Sequence, residues 1–390
     1  MESKIEEEII IQEILPRLPI KSLFRFKLVC KKWLDLITHD PLFLAHHSHK
    51  GHNRSKSTNI TSPSYFSYKS ELFFSSDDFY QFKWCKPTFL TGVMDDVMGS
   101  TKGLIYGVCS RYRKIFICNP ITKHTVYVPN PEKQLILALA WDPYIPSSGF
   151  TIVNPIFLRE ENDGTHNVDV FQFRVYSSKI GEWRDSENAT AFRVPRRCLQ
   201  FRMCQAVYTG RKKVYWSLMR HILWFDIEKD VAGLVECPNH GNFVHPDEDG
   251  SFTEIGECDG AVTYNWMTRN GNVEIWLLIE KDNEFEWAKK HTVRLQKIIE
   301  ENWHVVSEIC NGLNIKKRKN AAVALAKRHH VKPLPHSGGE LVWFLIKTLN
   351  DFHKIFSFNL RTRELKLINE DGAIEPPLYP FMPTLLHCPS

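Results

Sequence analysis

The chain has 390 residues, enough for two or three domains at roughly 100–200 residues each. Its 43% hydrophobic and 24% charged content is that of an ordinary globular protein and excludes whole-chain disorder. The formal charge is +5, but residues 315–332 alone carry seven basic side chains and no acid; the remainder stands near −2, which excludes a whole-surface attraction to nucleic acid or membrane.

The N-terminus, Met-Glu-Ser-Lys-Ile-Glu-Glu-Glu, has neither a positive n-region nor an apolar h-region, so no secretory signal is expected there. Apolar runs such as Leu135 to Trp141 reach about a third of the ~20 residues that a bilayer span needs. Ten cysteines without a Cys-x-x-Cys pair read as reduced thiols of an intracellular protein, in cytoplasm or nucleus. The sequons at Asn53, Asn59 and Asn188 are then chance matches.

From Ile9 to Leu44, 20 of 36 residues are apolar, with helical spacing. Ile10, Ile11, Ile14, Leu15 and Leu18 cover an arc of roughly 140° on a helical wheel. Pro19 closes this first helix and Pro16 loosens its last turn. A second helix is expected over Ser22–Phe26 with Ser22 as N-cap, and a third over Val29–Ile37. A three-helix piece of about 40 residues is near the lower limit for folding alone. Its apolar arcs exceed the stripe that one core face requires, so the surplus must be covered by the rest of the chain or by another protein.

The run Ile14-Leu15-Pro16-Arg17-Leu18-Pro19-Ile20-Lys21-Ser22-Leu23-Phe24-Arg25-Phe26-Lys27-Leu28-Val29-Cys30-Lys31-Lys32-Trp33, followed by Ile37 and Asp40-Pro41-Leu42-Phe43, resembles a plant-type F-box. The likeness departs at Ile5-Glu6, where the family often opens with Leu-Pro. The resemblance implies docking onto the Skp-type adaptor and, through it, the cullin of a Skp–cullin–F-box ubiquitin ligase, the rest of the chain selecting a target protein. Carried over residue by residue, the adaptor contacts are Ile9, Ile14, Leu15, Leu18, Pro19, Leu23 and Val29, with Trp33 holding the helices together. Leu18→Glu is expected to remove adaptor binding and leave the downstream domain folded.

The F-box is thus expected over 1–45, a linker over 46–64 and an all-β domain over 65–390. The linker holds His46, His47, His49 and His52, without an acid or cysteine to complete a metal site, and no metal or cofactor is expected. Beyond it, short runs of β-branched and aromatic residues alternate with turn residues. One unit recurs: an apolar strand, a polar turn, a second strand. Its copies turn at Asn119, Ser177, Asp226, Glu280 and Asn359, separated by about 50 residues except for one long interval. A fainter copy lies near Leu72–Trp84. This period predicts a kelch-like β-propeller of about six blades, with a β-sandwich pair as the alternative.

The long interval places an insertion within 297–339. Lys316, Lys317, Arg318 and Lys319 precede an alanine-rich run with helical propensity. This patch reads as a nuclear-localisation or acidic-partner site, a solvated loop helix, or a nucleic-acid contact. Arg193, Arg196, Arg197 and Arg202 form a looser basic group, either a site for an acidic peptide or a solvated strand.

Ser100-Thr101-Lys102-Gly103-Leu104-Ile105, Asn119-Pro120-Ile121-Thr122, Trp141-Asp142-Pro143, Val175-Tyr176-Ser177 with Trp183, Trp224-Phe225-Asp226 and Glu274-Ile275-Trp276 together resemble the F-box-associated domain of plant F-box proteins. No P-loop, Gly-x-Ser-x-Gly or His-Glu-x-x-His motif occurs, so no catalytic role is expected. Two functions compete: a ligase substrate receptor, or a propeller scaffold or basic-patch nucleic-acid binder that recruits no ligase.

Overall fold

A computed structural model describes residues 8–48, 64–67, 71–73 and most of 96–388. Residues 131–135, 144–148, 163–166, 196–205, 239–252, 308–330, 336–339, 348–352 and 369–377, with shorter gaps and both termini, lie outside the described residues.

Proline edits the helical part. Pro16 has no N–H with which to close an α-turn. The chain before it winds as a π-helical turn, Ile10–Ile14, with the Leu15 N–H donating to the Ile10 carbonyl, then as a 3-10 turn, Leu15–Arg17. Pro19, in extended conformation, opens α1 (Ile20–Phe26), so Ser22 lies inside this helix rather than capping it. Leu28 and Val29 donate their N–H groups to the Arg25 and Phe26 carbonyls in a closing turn. That turn delays α2 (Lys31–His39) by two residues relative to the sequence expectation. An unforeseen helix, α3 (41–48), follows. Asp40 caps it, Oδ1 accepting the Leu42 and Phe43 N–H groups at 2.9 and 3.0 Å, with Pro41 at the first helical position. The expected linker start at 46 therefore falls inside a helix, and His47 is buried.

The remainder forms antiparallel sheets. Strands β1 (Ser64–Ser67) and β2 (Glu71–Phe73) come first. The first complete blade is β3 (Asp96–Thr101), β4 (Leu104–Cys109), β5 (Lys114–Asn119) and β6 (His124–Pro129). The second is β7 (Ala138–Trp141), β8 (Phe150–Asn162), β9 (Asn167–Ser177) and β10 (Glu182–Asp185), with β11 (Phe192–Pro195) also on β9. The third is β12 (Ala206–Tyr208), β13 (Lys213–Ser217), β14 (His221–Asp226) and β15 (Val231–Glu236). The fourth is β16 (Thr253–Cys258), β17 (Ala261–Met267), β18 (Asn272–Lys281) and β19 (Glu284–Arg294). After α4 (Leu295–Glu301) and α5 (Trp303–Val306) comes the fifth, β20 (Val331–Pro333), β21 (Leu341–Lys347), β22 (His353–Asn359) and β23 (Leu365–Leu367).

The last strand, β24 (Leu378–Phe381), pairs with β1 and lies against β3. Strands from the two ends of the domain thus share a three-stranded sheet, β2-β1-β24. The architecture is a β-propeller, not a sandwich pair, with five complete blades and this smaller sheet among the described residues. Side chains tie neighbouring sheets: Trp183 Nε1 donates to Pro129 O at 2.9 Å, Trp287 Nε1 to Glu236 O at 2.8 Å, Asn265 Nδ2 to Leu334 O at 2.6 Å and the Tyr379 hydroxyl to Val97 O at 3.0 Å.

All five recurrent turns found in the sequence join the third and fourth strands of a complete blade. Their chemistry repeats. Oδ1 of Asn119 accepts the Ile121 and Thr122 N–H groups, that of Asp226 the Glu228 and Lys229 groups, and that of Asn359 the Arg361 and Thr362 groups. Four residues after each of these three anchors the backbone is left-handed: φ is +61° at Lys123, +58° at Asp230 and +60° at Arg363. Gly181, four after Ser177, does the same at +80° without the steric cost that a Cβ brings. An Asx or Ser anchor followed by a left-handed residue closes a hairpin tightly.

The insertion contributes α4 and α5. Arg363 reaches Glu301 at 2.9 Å, and Asn302 Oδ1 accepts the Leu365 N–H at 3.0 Å, so this part packs on the fifth blade. Lys316, Lys317, Arg318, Lys319 and the alanine-rich run lie outside the described residues, as do Arg196, Arg197, Arg202 and most of the faint copy near Leu72–Trp84.

Candidate functional site

The apolar surplus of the helices divides in two. One side is sealed against the chain's own body. Leu15, Leu23, Ile37, Phe43 and Leu44 are each at most 5% exposed and share one core with Leu104, Ile115 and Ile117 of the first blade and with Leu385, Leu386 and Cys388 of the C-terminal segment. The other side stays open. Of thirteen large hydrophobic side chains exposed among the described residues, seven lie between Ile9 and Leu42: Ile9, Ile14, Phe24, Leu28, Val29, Leu34 and Leu42. Leu28 and Leu42 are 87% and 81% exposed. Surface this apolar on so short a segment marks an interaction site.

The sequence-derived contact set splits accordingly. Ile9, Ile14 and Val29 are exposed. Leu15 and Leu23 are interior side chains, which no partner reaches while the helices stay docked. Leu18 and Pro19 are half-buried, and the Leu18 carbonyl accepts a hydrogen bond from His47 Nε2 at 3.0 Å. Trp33 is half-buried, packs on the shared core and meets Phe26 edge-on at 5.2 Å between ring centroids. Phe24, Leu28, Leu34 and Leu42 are exposed as well and do not belong to that set. Leu28 sits in the closing turn after α1 and Leu42 in the first turn of α3, next to its Asp40 cap.

Charge frames this surface. Between Ile9 and Leu42 the sequence has six basic residues, Arg17, Lys21, Arg25, Lys27, Lys31 and Lys32, against three acids, Glu13, Asp35 and Asp40, with Arg17 paired to Glu13. Lys27 holds its ammonium 4.9 Å over the Phe24 ring, and its partial burial lowers its pKa. His47 lies on the sealed side, stacked on Phe43 at 6.4 Å. Its Nε2 donates to Leu18, while Nδ1 has no hydrogen-bond partner among the described residues. Burial holds its pKa below the usual imidazole value.

The family described as "F-box protein At3g26010-like, beta-propeller" matches residues 84–309, more than half of the chain, and the F-box domain matches residues 8–44. The chain belongs to this family of F-box proteins. Among its relatives, F-box protein At5g07610 of Arabidopsis thaliana is 26% identical over 307 residues, covering 75% of this chain and 71% of the relative. The F-box/kelch-repeat protein At3g23880 of the same plant is 21% identical, covering 71% and 76%. Among solved structures, TolB from Acinetobacter baumannii aligns with a TM-score of 0.42 at 10% identity, covering 86% of this chain and 72% of that one. In this F-box protein the matched region 8–44 contains the whole exposed apolar set from Ile9 to Leu42. No helix among the described residues is long and apolar enough to cross a membrane.

Proposed function

We propose that this F-box protein is the substrate-receptor subunit of a Skp–cullin–F-box ubiquitin ligase. Its F-box grips the Skp-type adaptor, and its propeller holds a target protein for ubiquitination and proteasomal degradation. The observation that carries this reading is the open side of the helices: Leu28, Leu42, Val29, Ile9, Ile14, Phe24 and Leu34 remain exposed after the opposite side is closed. An adaptor groove supplies the missing half of that core. The basic frame around these residues calls for an acidic adaptor surface, which raises the association rate and makes binding weaken with salt.

The propeller's part follows from connectivity. The helices share a core with the first blade and bond to the C-terminal segment that Asn119 holds, and the propeller loops away from this contact are assigned to the target. This chain then contributes placement rather than bond-making: ubiquitin transfer belongs to the assembled ligase, and the receptor raises the local concentration of target lysines. Size-exclusion chromatography of the full chain with purified Skp-type adaptor tests the proposal. A 1:1 complex is expected, and two separate peaks at 10-micromolar concentrations (on the order of common working levels) overturn it. Capture from cells with the proteasome inhibited, comparing wild type with Leu28→Asp, then identifies the target.

A further inference from the structure

Position 119 opens one of the recurrent hairpin turns, and two blades later an aspartate does the same work. Asp226 Oδ1 accepts two backbone N–H groups, as Asn119 Oδ1 does. The amide nitrogen is what an aspartate lacks, and at position 119 it is engaged outside the turn. Asn119 Nδ2 donates to Thr384 O at 2.9 Å and to Leu386 O at 2.5 Å, from a fully buried side chain. At Asn359, the equivalent residue of the fifth blade, the oxygen caps the turn in the same way.

The segment that Asn119 holds grips the helices on its other side. The Thr384 and Ser48 hydroxyls lie 2.7 Å apart in a hydrogen bond, and His387 Nε2 donates to Thr38 O at 3.3 Å. Leu385 and Leu386 are buried in the core shared by helices and first blade. The Cys388 thiol, whose pKa burial pushes up to about 12, stays protonated and donates to His124 O at 3.3 Å.

We infer that Asn119 is a positioning residue: its amide clamps residues 384–388 as a strap between the first blade and the F-box, and so fixes the angle at which the F-box is carried. The inference deepens the receptor reading, because that angle sets where a bound target stands relative to the adaptor. Its test needs no adaptor.

The full chain is spin-labelled at Lys31 and Lys229 through an unnatural amino acid, leaving the ten native cysteines intact. The distance distribution between the labels is then read by pulsed dipolar spectroscopy. Asn119→Asp keeps the turn acceptor and removes both donors, and the distribution should widen at least twofold. Asn359→Asp, with the same turn chemistry and no strap, should leave it at wild-type width. The double substitution Ser48→Ala/His387→Ala cuts the other side of the strap without touching the propeller interior, and should widen the distribution as well.

A wild-type width in folded Asn119→Asp overturns the inference, as does equal widening in Asn359→Asp. Should Asn119→Asp not fold, a wild-type width in the double variant overturns it. Adaptor binding measured in parallel separates the two claims: a wild-type chain that ignores the adaptor sinks the receptor reading while leaving the strap result standing.

Discussion

Leu28→Asp is the sharpest test of the exposed helical surface. Leu28 is 87% exposed in the free chain, so its side chain contributes almost nothing to folding. Burying a leucine that starts exposed is worth about 1.5–3 kcal/mol, and the aspartate also brings a desolvation cost into the interface. A loss of about 2 kcal/mol weakens Kd about 30-fold. Ile37→Val is the counterpart: Ile37 is 1% exposed, so shortening it costs roughly 0.5–1.5 kcal/mol of stability and leaves the docking surface unchanged. Isothermal titration of each full-length variant with the Skp-type adaptor, beside its thermal melt, separates the effects. Leu28→Asp should lose affinity at wild-type Tm, and Ile37→Val should lose Tm at wild-type Kd. Ile279→Asp, on an exposed position of the fourth blade, should change neither. The reasoning fails if Leu28→Asp binds within about twofold of wild type, a difference under ~0.5 kcal/mol.

The F-box should loosen in acid. With its pKa lowered in the folded chain from 6.5, His47 takes up a proton in the unfolded state first, so stability is lost as pH falls below ~6.5, by at most about 1.4 kcal/mol per pH unit. Melts from pH 8 to 5 should show this slope, and His47→Leu should flatten it in about the same window. Asp40→Ala removes the cap of α3 and should cost about 1 kcal/mol, read as faster amide exchange over 41–48. Trp33→Ala should cost about 3 kcal/mol in denaturant unfolding, the low end for an aromatic truncation, because the indole is only half-buried.

Apolar periodicity located the helical segment up to His39, though its first stretch winds as π and 3-10 turns, and β-branched runs located strands of the blades, since both reflect local alternation between core and solvent; α3, α4 and α5 were not foreseen. The turn anchors carried the repeat because an Asx side chain and a left-handed residue four positions on are local chemistry, visible wherever the blades lie in space. Which side of the helices faces inward was not legible. Leu15 and Leu28 have the same hydrophobicity, and it is packing against residues far along the chain, in the first blade and in the C-terminal segment, that covers Leu15 and leaves Leu28 open. Helix α3 was hidden for a different reason. Its histidine-rich end resembles a polar loop, and the burial of His47 depends on a carbonyl 29 positions earlier.

If the protein acts as the receptor proposed above, the strap bears on how it works. A target held by the propeller meets the ligase at an effective concentration set by the connection between propeller and F-box. A freely flexible tether of 15–20 residues spans roughly 20–25 Å root-mean-square and spreads a bound target through that whole volume. A docked F-box confines the target to one arc and excludes lysines outside it. The bonds at Asn119, Ser48 and His387 favour the second regime, with selectivity among target lysines bought by geometry rather than affinity. Under this reasoning, Asn119→Asp should broaden the set of lysines modified on a given target at unchanged target affinity. Mass spectrometry of ubiquitination sites reads this directly, and an identical site pattern in wild type and variant would contradict it.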